Sequence, residues 1–128
     1  MTSYISHTAV DCTDAYTLSR WWQTVLDWTD DPADPNEPGH EECLILSRDG
    51  RHRVLFIQVP DGKQGKNRIH FDLRPTEGGR DAELARLLAL GATEVHDLRN
   101  PDGTGWVTLA DPEGNEFCIL RSETEIAG

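Results

Sequence analysis

Basic residues are scarce in this 128-residue chain: 12 Lys plus Arg stand against 23 Asp plus Glu, a net charge of −11. Such a field repels a phosphate polymer and an anionic bilayer surface alike, so neither nucleic acid nor membrane is an expected partner. Long apolar runs are missing too, and no stretch approaches the length needed to span a bilayer. Met1 to Val10 lacks the basic flank and apolar run of a secretory leader. Cysteine is sparse: Cys12, Cys43 and Cys118 are odd in number and widely spaced, without a CxxC. They read as free thiols in a reducing cytoplasm, not as a disulfide framework.

What is present is an ordinary globular balance, 37% hydrophobic and 27% charged, at a length suited to one domain. Tyr4 to Cys12 has the β-branched and aromatic content of a strand. Thr13 or Asp14 can then cap a helix reaching about Trp28, with Leu18, Trp21 or Trp22, Val25 and Leu26 forming an apolar stripe. The acidic, proline-rich text from Asp30 to Gly39 reads as a loop. Cys43 to Leu46 and Val54 to Val59 read as strands joined by a hairpin at Asp49-Gly50.

The same order then recurs. Arg68 to Arg74 alternates like a strand, Asp81 to Leu90 reads as a helix capped by Asp81, and Gly91 is placed to end it. Thr93 to Leu98 is a short strand, and Trp106 to Ala110 with Glu116 to Leu120 forms a second hairpin. His7 and His70 fall at equivalent places in the two first strands. Two similar half-length modules, about 4–60 and 67–121, are therefore expected to build one α+β domain in which strands dominate.

The helix text Ser19-Arg-Trp-Trp-Gln-Thr-Val-Leu-Asp-Trp28, the strand His70-Phe-Asp-Leu73, Leu90-Gly-Ala92 and the turn Asp111-Pro-Glu-Gly-Asn-Glu-Phe117 together resemble the vicinal oxygen chelate superfamily. Within it they resemble the glyoxalase-like, bleomycin-resistance and dioxygenase branch. The resemblance implies paired βαβββ modules forming an open, eight-stranded cupped barrel around a ligand pocket, with the helices outside, and a homodimer. It also implies a divalent metal that binds two adjacent substrate oxygens and stabilises the charge developing on them. Carried onto this chain, the expected ligand positions are His7, Gln58 and His70. At the fourth, where a glutamate is usual, stands Cys118, and the nearest glutamate is Glu116, two residues earlier on the same face.

Three outcomes stay open at this stage. Cys118 could complete a site for zinc or another soft ion, Glu116 could supply a carboxylate, or the site could hold no metal. Glu116 is also the candidate general base. Phe56 and Trp106, on strands, are candidates for stacking on a ligand, with Gln58 as a polar contact. Asp72 shares a face with His70 and could orient its imidazole, or pair with Arg68 or Arg74 instead. The expected activity is a glyoxalase-like, metal-dependent lyase or isomerase acting on a small carbonyl or hydroxy-carbonyl compound, with Zn, Ni, Co, Mn or Fe as the ion. The alternative is a metal-free small-molecule binding protein of the bleomycin-resistance kind, for which the acidity of the chain suits a cationic aromatic ligand. An extradiol dioxygenase is a weaker third.

Overall fold

Asp14 starts the first helix, as its residue type and position predict. Its Oδ1 accepts from the Thr17 backbone N–H at 3.1 Å and its Oδ2 from the Thr17 hydroxyl at 2.9 Å. In this computed structural model, which describes residues 1–128, the chain forms two units, Met1–Gly62 and Lys63–Gly128.

The first unit contains β1 (Thr8–Cys12), α1 (Ala15–Leu26), β2 (Thr29–Asp30), β3 (Glu42–Leu46) and β4 (Arg53–Gln58). Its sheet order is β1-β4-β3-β2, with β1 parallel to β4 and the other pairs antiparallel. The buried residues of α1 are Ala15, Leu18, Ser19, Trp22 and Val25, one stripe at helical spacing. They pack with Cys12, Cys43, Ile45, Val54 and Phe56 to form this unit's core. Asp27 ends the helix with a φ of 56°, a left-handed cap filled here by an aspartate. The acidic segment after it is tethered. Asp30 accepts hydrogen bonds from Arg20, Gln23 and Asn36, and Asn36 also donates to the Leu44 carbonyl. The text read as a loop therefore begins with a short strand pinned by one buried-facing carboxylate.

The second unit contains β5 (Asp72–Leu73), α2 (Arg80–Ala89), β6 (Thr93–Arg99), β7 (Gly105–Ala110), β8 (Glu116–Ile119) and α3 (Glu123–Ala127). Its sheet order, β5-β8-β7-β6, repeats the first: the leading strand runs parallel beside the last. Each unit thus has the βαβββ order expected from the repeat. Val107, Leu109, Phe117 and Ile119 are fully buried with Leu87, and Leu84 is nearly so. Alternation turns Trp106, Thr108, Glu116 and Cys118 to the opposite, open face.

Three details differ from the sequence expectation. The fifth strand is two residues long, so His70 stands just before it rather than within it. Asp81 is not the cap of α2: Gly79 holds that position, and Glu125 from α3 accepts the Arg80 backbone N–H at 2.7 Å. The third helix carries a capping box between Ser122 and Glu125. Arg80 itself is 4% exposed. Its guanidinium donates to the carbonyls of Gly103, Thr104 and Gly105, holding the β6–β7 turn.

Candidate functional site

Pairing across the second sheet brings the polar residues of the open face together. Asp72 is the register partner of Cys118, and Thr108 is the partner of both Cys118 and His96. A cavity of about 350 Å³ opens on this face, within the range of small-molecule sites. Its lining includes His70, Asp72, His96, Thr108, Glu116 and Cys118, with Lys66, Leu98, Trp106 and Leu120 around them.

Three metal-capable atoms converge there, one each from His70, Asp72 and Cys118, all within 4.8 Å of one another. His70 Nδ1 and Asp72 Oδ1 are 2.9 Å apart. With the carboxylate accepting, Nδ1 carries the proton and Nε2 is left with its lone pair, the arrangement that suits a ligating imidazole. Cys118 is 6% exposed, and its Sγ lies 3.4 Å from the Thr108 hydroxyl. Burial pushes its thiol pKa up and the neighbouring Asp72 adds to this, while the Thr108 hydrogen bond opposes it. The sulfur is therefore a protonated thiol until a cation displaces the proton. A set of imidazole nitrogen, thiol sulfur and carboxylate oxygen fits a borderline or soft divalent ion better than a hard one.

Glu116 lines the same cavity, yet its oxygens are already engaged. Oε1 accepts the Asn67 backbone N–H at 2.9 Å, and the Glu116 backbone N–H donates to Asn67 Oδ1 at 3.0 Å. The ammonium groups of Lys66 and Lys63 lie 3.5 and 3.6 Å from its carboxylate. The Asn67 N–H first, then the two lysines, hold its carboxyl below the usual range against the opposing effect of burial. A carboxylate stabilised as the anion in this way is a weak base. It fastens the 63–67 segment beside the pocket.

Three of the other expected site residues, His7, Phe56 and Gln58, belong to the first unit. Phe56 is 1% exposed in the core of the first unit, so its ring offers no face to a ligand. It sits on the helix side of β4, with Val54. Gln58, the register partner of Cys12, lies on that same side by alternation, whereas His7 continues the opposite face of β1 with Ala9 and Asp11. The structure therefore does not bring His7 and Gln58 to one face. His7 is exposed, with Nδ1 3.0 Å from the Ser6 hydroxyl. Trp106, by contrast, does line the cavity, 42% exposed.

Sequence reasoning did not single out His96, Leu98, Thr108 or Lys66 as site residues. A β-bulge between Glu94 and His96 accounts for the first two. Strict alternation from Thr93 puts residues 96 and 98 on the core side, and one extra residue reverses that. Thr108 was within reach, since it alternates with Trp106 on a strand already recognised.

Comparison with known proteins identifies the fold. The glyoxalase-like domain model matches residues 7–120, and the chain belongs to that family and, with it, to the vicinal oxygen chelate superfamily. No curated protein matches the sequence. Among solved structures, the chain is similar to the fosfomycin resistance protein FosX from Listeria monocytogenes. A mutant of that protein was solved with Mn(II) and 1S,2S-dihydroxypropylphosphonic acid; identity is 17%, TM-score 0.71, and coverage 98% of this chain and 94% of that one. It is also similar to FosX from Mesorhizobium loti (17% identity, TM-score 0.67, 99% and 98% covered). Lactoylglutathione lyase from Agrobacterium tumefaciens is a third neighbour (20% identity, TM-score 0.63, 97% and 96% covered). At these identities the likeness is one of fold.

Proposed function

We propose that this protein is a glyoxalase-like, metal-dependent lyase or isomerase whose substrate is a small carbonyl or hydroxy-carbonyl compound. The observation that carries the reading is the convergence of His70, Asp72 and Cys118 inside a cavity of substrate size. His70 and Cys118 would hold the ion, with the Asp72 carboxylate fixing the His70 ring through Nδ1. A divalent ion bound there supplies Lewis-acid polarisation of a substrate carbonyl. The chain's own residues do the rest. Asp72 holds the His70 tautomer, Thr108 positions the Cys118 sulfur, and Glu116 keeps Lys66 at the rim. His96, which lines the cavity on the same face as Thr108, replaces Glu116 as the better candidate for moving a proton.

The neighbour solved with Mn(II) supports a metal on this fold, while a sulfur donor favours zinc or cobalt here. The test is metal content after loading and exhaustive dialysis, on the parent and on His70→Ala, Cys118→Ser and His7→Ala variants. Near one equivalent in the parent and marked loss in the first two variants is the expected result. No retained metal in the parent overturns the reading. In that event the engagement of Glu116 by Lys63, Lys66 and Asn67 favours the second one, capture of a small molecule without turnover.

A further inference from the structure

The cavity of the second unit has two unlike walls. One is the polar cluster of His70, Asp72 and Cys118. The other is apolar: Leu98 and Trp106 are cross-strand partners on β6 and β7, and Leu120 follows β8. Leu98 and Trp106 are 45% and 42% exposed, an unfavourable state for two large apolar side chains placed side by side. Their placement is not incidental to the strand. The bulge between Glu94 and His96 is what turns Leu98 to this face. The left-handed Gly105, with a φ of +92°, brings β7 so close to Leu98 that a Cβ there would strike the Leu98 carbonyl. The two devices set the Leu98–Trp106 pair on the same face as the polar cluster, one cross-strand row along from His96, Thr108 and Cys118.

We propose that this pocket takes an aryl-substituted ligand: a compact head with two adjacent oxygens at the polar cluster, and a planar aromatic body on the Leu98–Trp106 wall. This rests on the metal-site reading for the head and on the apolar wall alone for the body. An indole face and a leucine edge receive a flat ring by offset stacking and burial, an interaction that a methyl-sized body cannot match. Lys66, held at the rim by Glu116, lines the same cavity and suits a head that carries a carboxylate.

Mandelate and lactate separate the two parts, since they share the hydroxy-carboxylate head and differ only in phenyl against methyl. Their affinities are measured by calorimetry on the full-length protein, metal-free and zinc-loaded, for the parent and for Trp106→Ala and Trp106→Leu. The parent is expected to bind mandelate about 10- to 100-fold more tightly than lactate, the range that burial and stacking of one ring supply. Trp106→Ala should bring the ratio to within a few-fold of one, chiefly by weakening mandelate, with Trp106→Leu between. A parent ratio near one, a ratio that Trp106→Ala leaves intact, or no binding of either acid overturns the proposal. So does a shift of Trp106→Ala from dimer to monomer in sedimentation with no change in the ratio, which would assign the wall to a second copy. Affinities indifferent to zinc, with the ratio retained, would instead count against the metal-site reading and leave the aryl wall standing.

Discussion

At the scale of single residues, the site depends on how a few side chains hold one another. The Asp72 carboxylate fixes the proton on His70 Nδ1 at 2.9 Å. Asp72→Asn can present its amide in the wrong sense, so metal affinity should fall by about 10- to 100-fold. A competition titration against a chromophoric chelator measures this, and unchanged affinity would remove Asp72 from the site. The two aromatic candidates separate just as sharply. Phe56→Ala empties a fully buried position and is expected to cost about 3–5 kcal/mol in urea unfolding. Trp106→Ala, on the open face, should cost less than about 1 kcal/mol. Equal losses at the two positions would mean that Trp106 is structural and that the open face is covered in solution.

At the scale of elements, the tether of the segment after α1 makes a pH prediction. Burial would raise the Asp30 pKa, but the hydrogen bonds from Arg20 and Asn36 outweigh it and hold it below the ordinary value. Asp97, bonded to Arg99, is held at about 2. A carboxyl with a depressed folded-state pKa contributes stability that is present above its unfolded value, roughly 4, and is lost as pH falls through the folded one. Unfolding free energy is therefore expected to stay level down to about pH 4 and to decline below it. Asp30→Asn should lower it by about 1–3 kcal/mol at neutral pH and flatten the acid decline. An unaltered acid limb in Asp30→Asn would show that the tether contributes nothing. In the second unit, Gly105→Ala combines a positive φ with a backbone collision and should cost about 1–3 kcal/mol. Mandelate affinity should fall with it, since the β6–β7 pairing sets the Leu98–Trp106 wall. What was legible in the sequence follows the same division. Periodicity, the Asp14 cap and the Asp49-Gly50 and Asp111-to-Asn115 turns disclosed both βαβββ runs, because each is written in local residues. The ring partner of His70 was legible too, two residues along the chain. The bulge, the Glu125 cap on α2 and the Lys63, Lys66 and Asn67 hold on Glu116 were not, because each depends on residues distant in the chain. Gln58 was placed by the resemblance and Phe56 by lying on a strand, and the register of β1 with β4 is what assigns both to the helix side.

At the scale of the whole molecule, a net charge of −11 raises the local concentration of cations, which favours uptake of a divalent ion and argues against acidic polymers. No helix is long and apolar enough to cross a membrane. A bound ion that prefers the folded state must also raise thermal stability, by about 2.7 kcal/mol at a hundredfold excess over its dissociation constant. The parent should therefore melt at a higher temperature with zinc than with chelator, and the His70→Ala variant should not respond. The central claim is that a metal is held in the second unit by His70 and Cys118, and cobalt tests it most directly. The cobalt-loaded parent should show a sulfur-to-cobalt charge-transfer band in the near ultraviolet, absent from Cys118→Ser, and His70→Ala should fail to retain the ion. Cobalt retained without that band, or the same spectrum from all three proteins, would contradict the account.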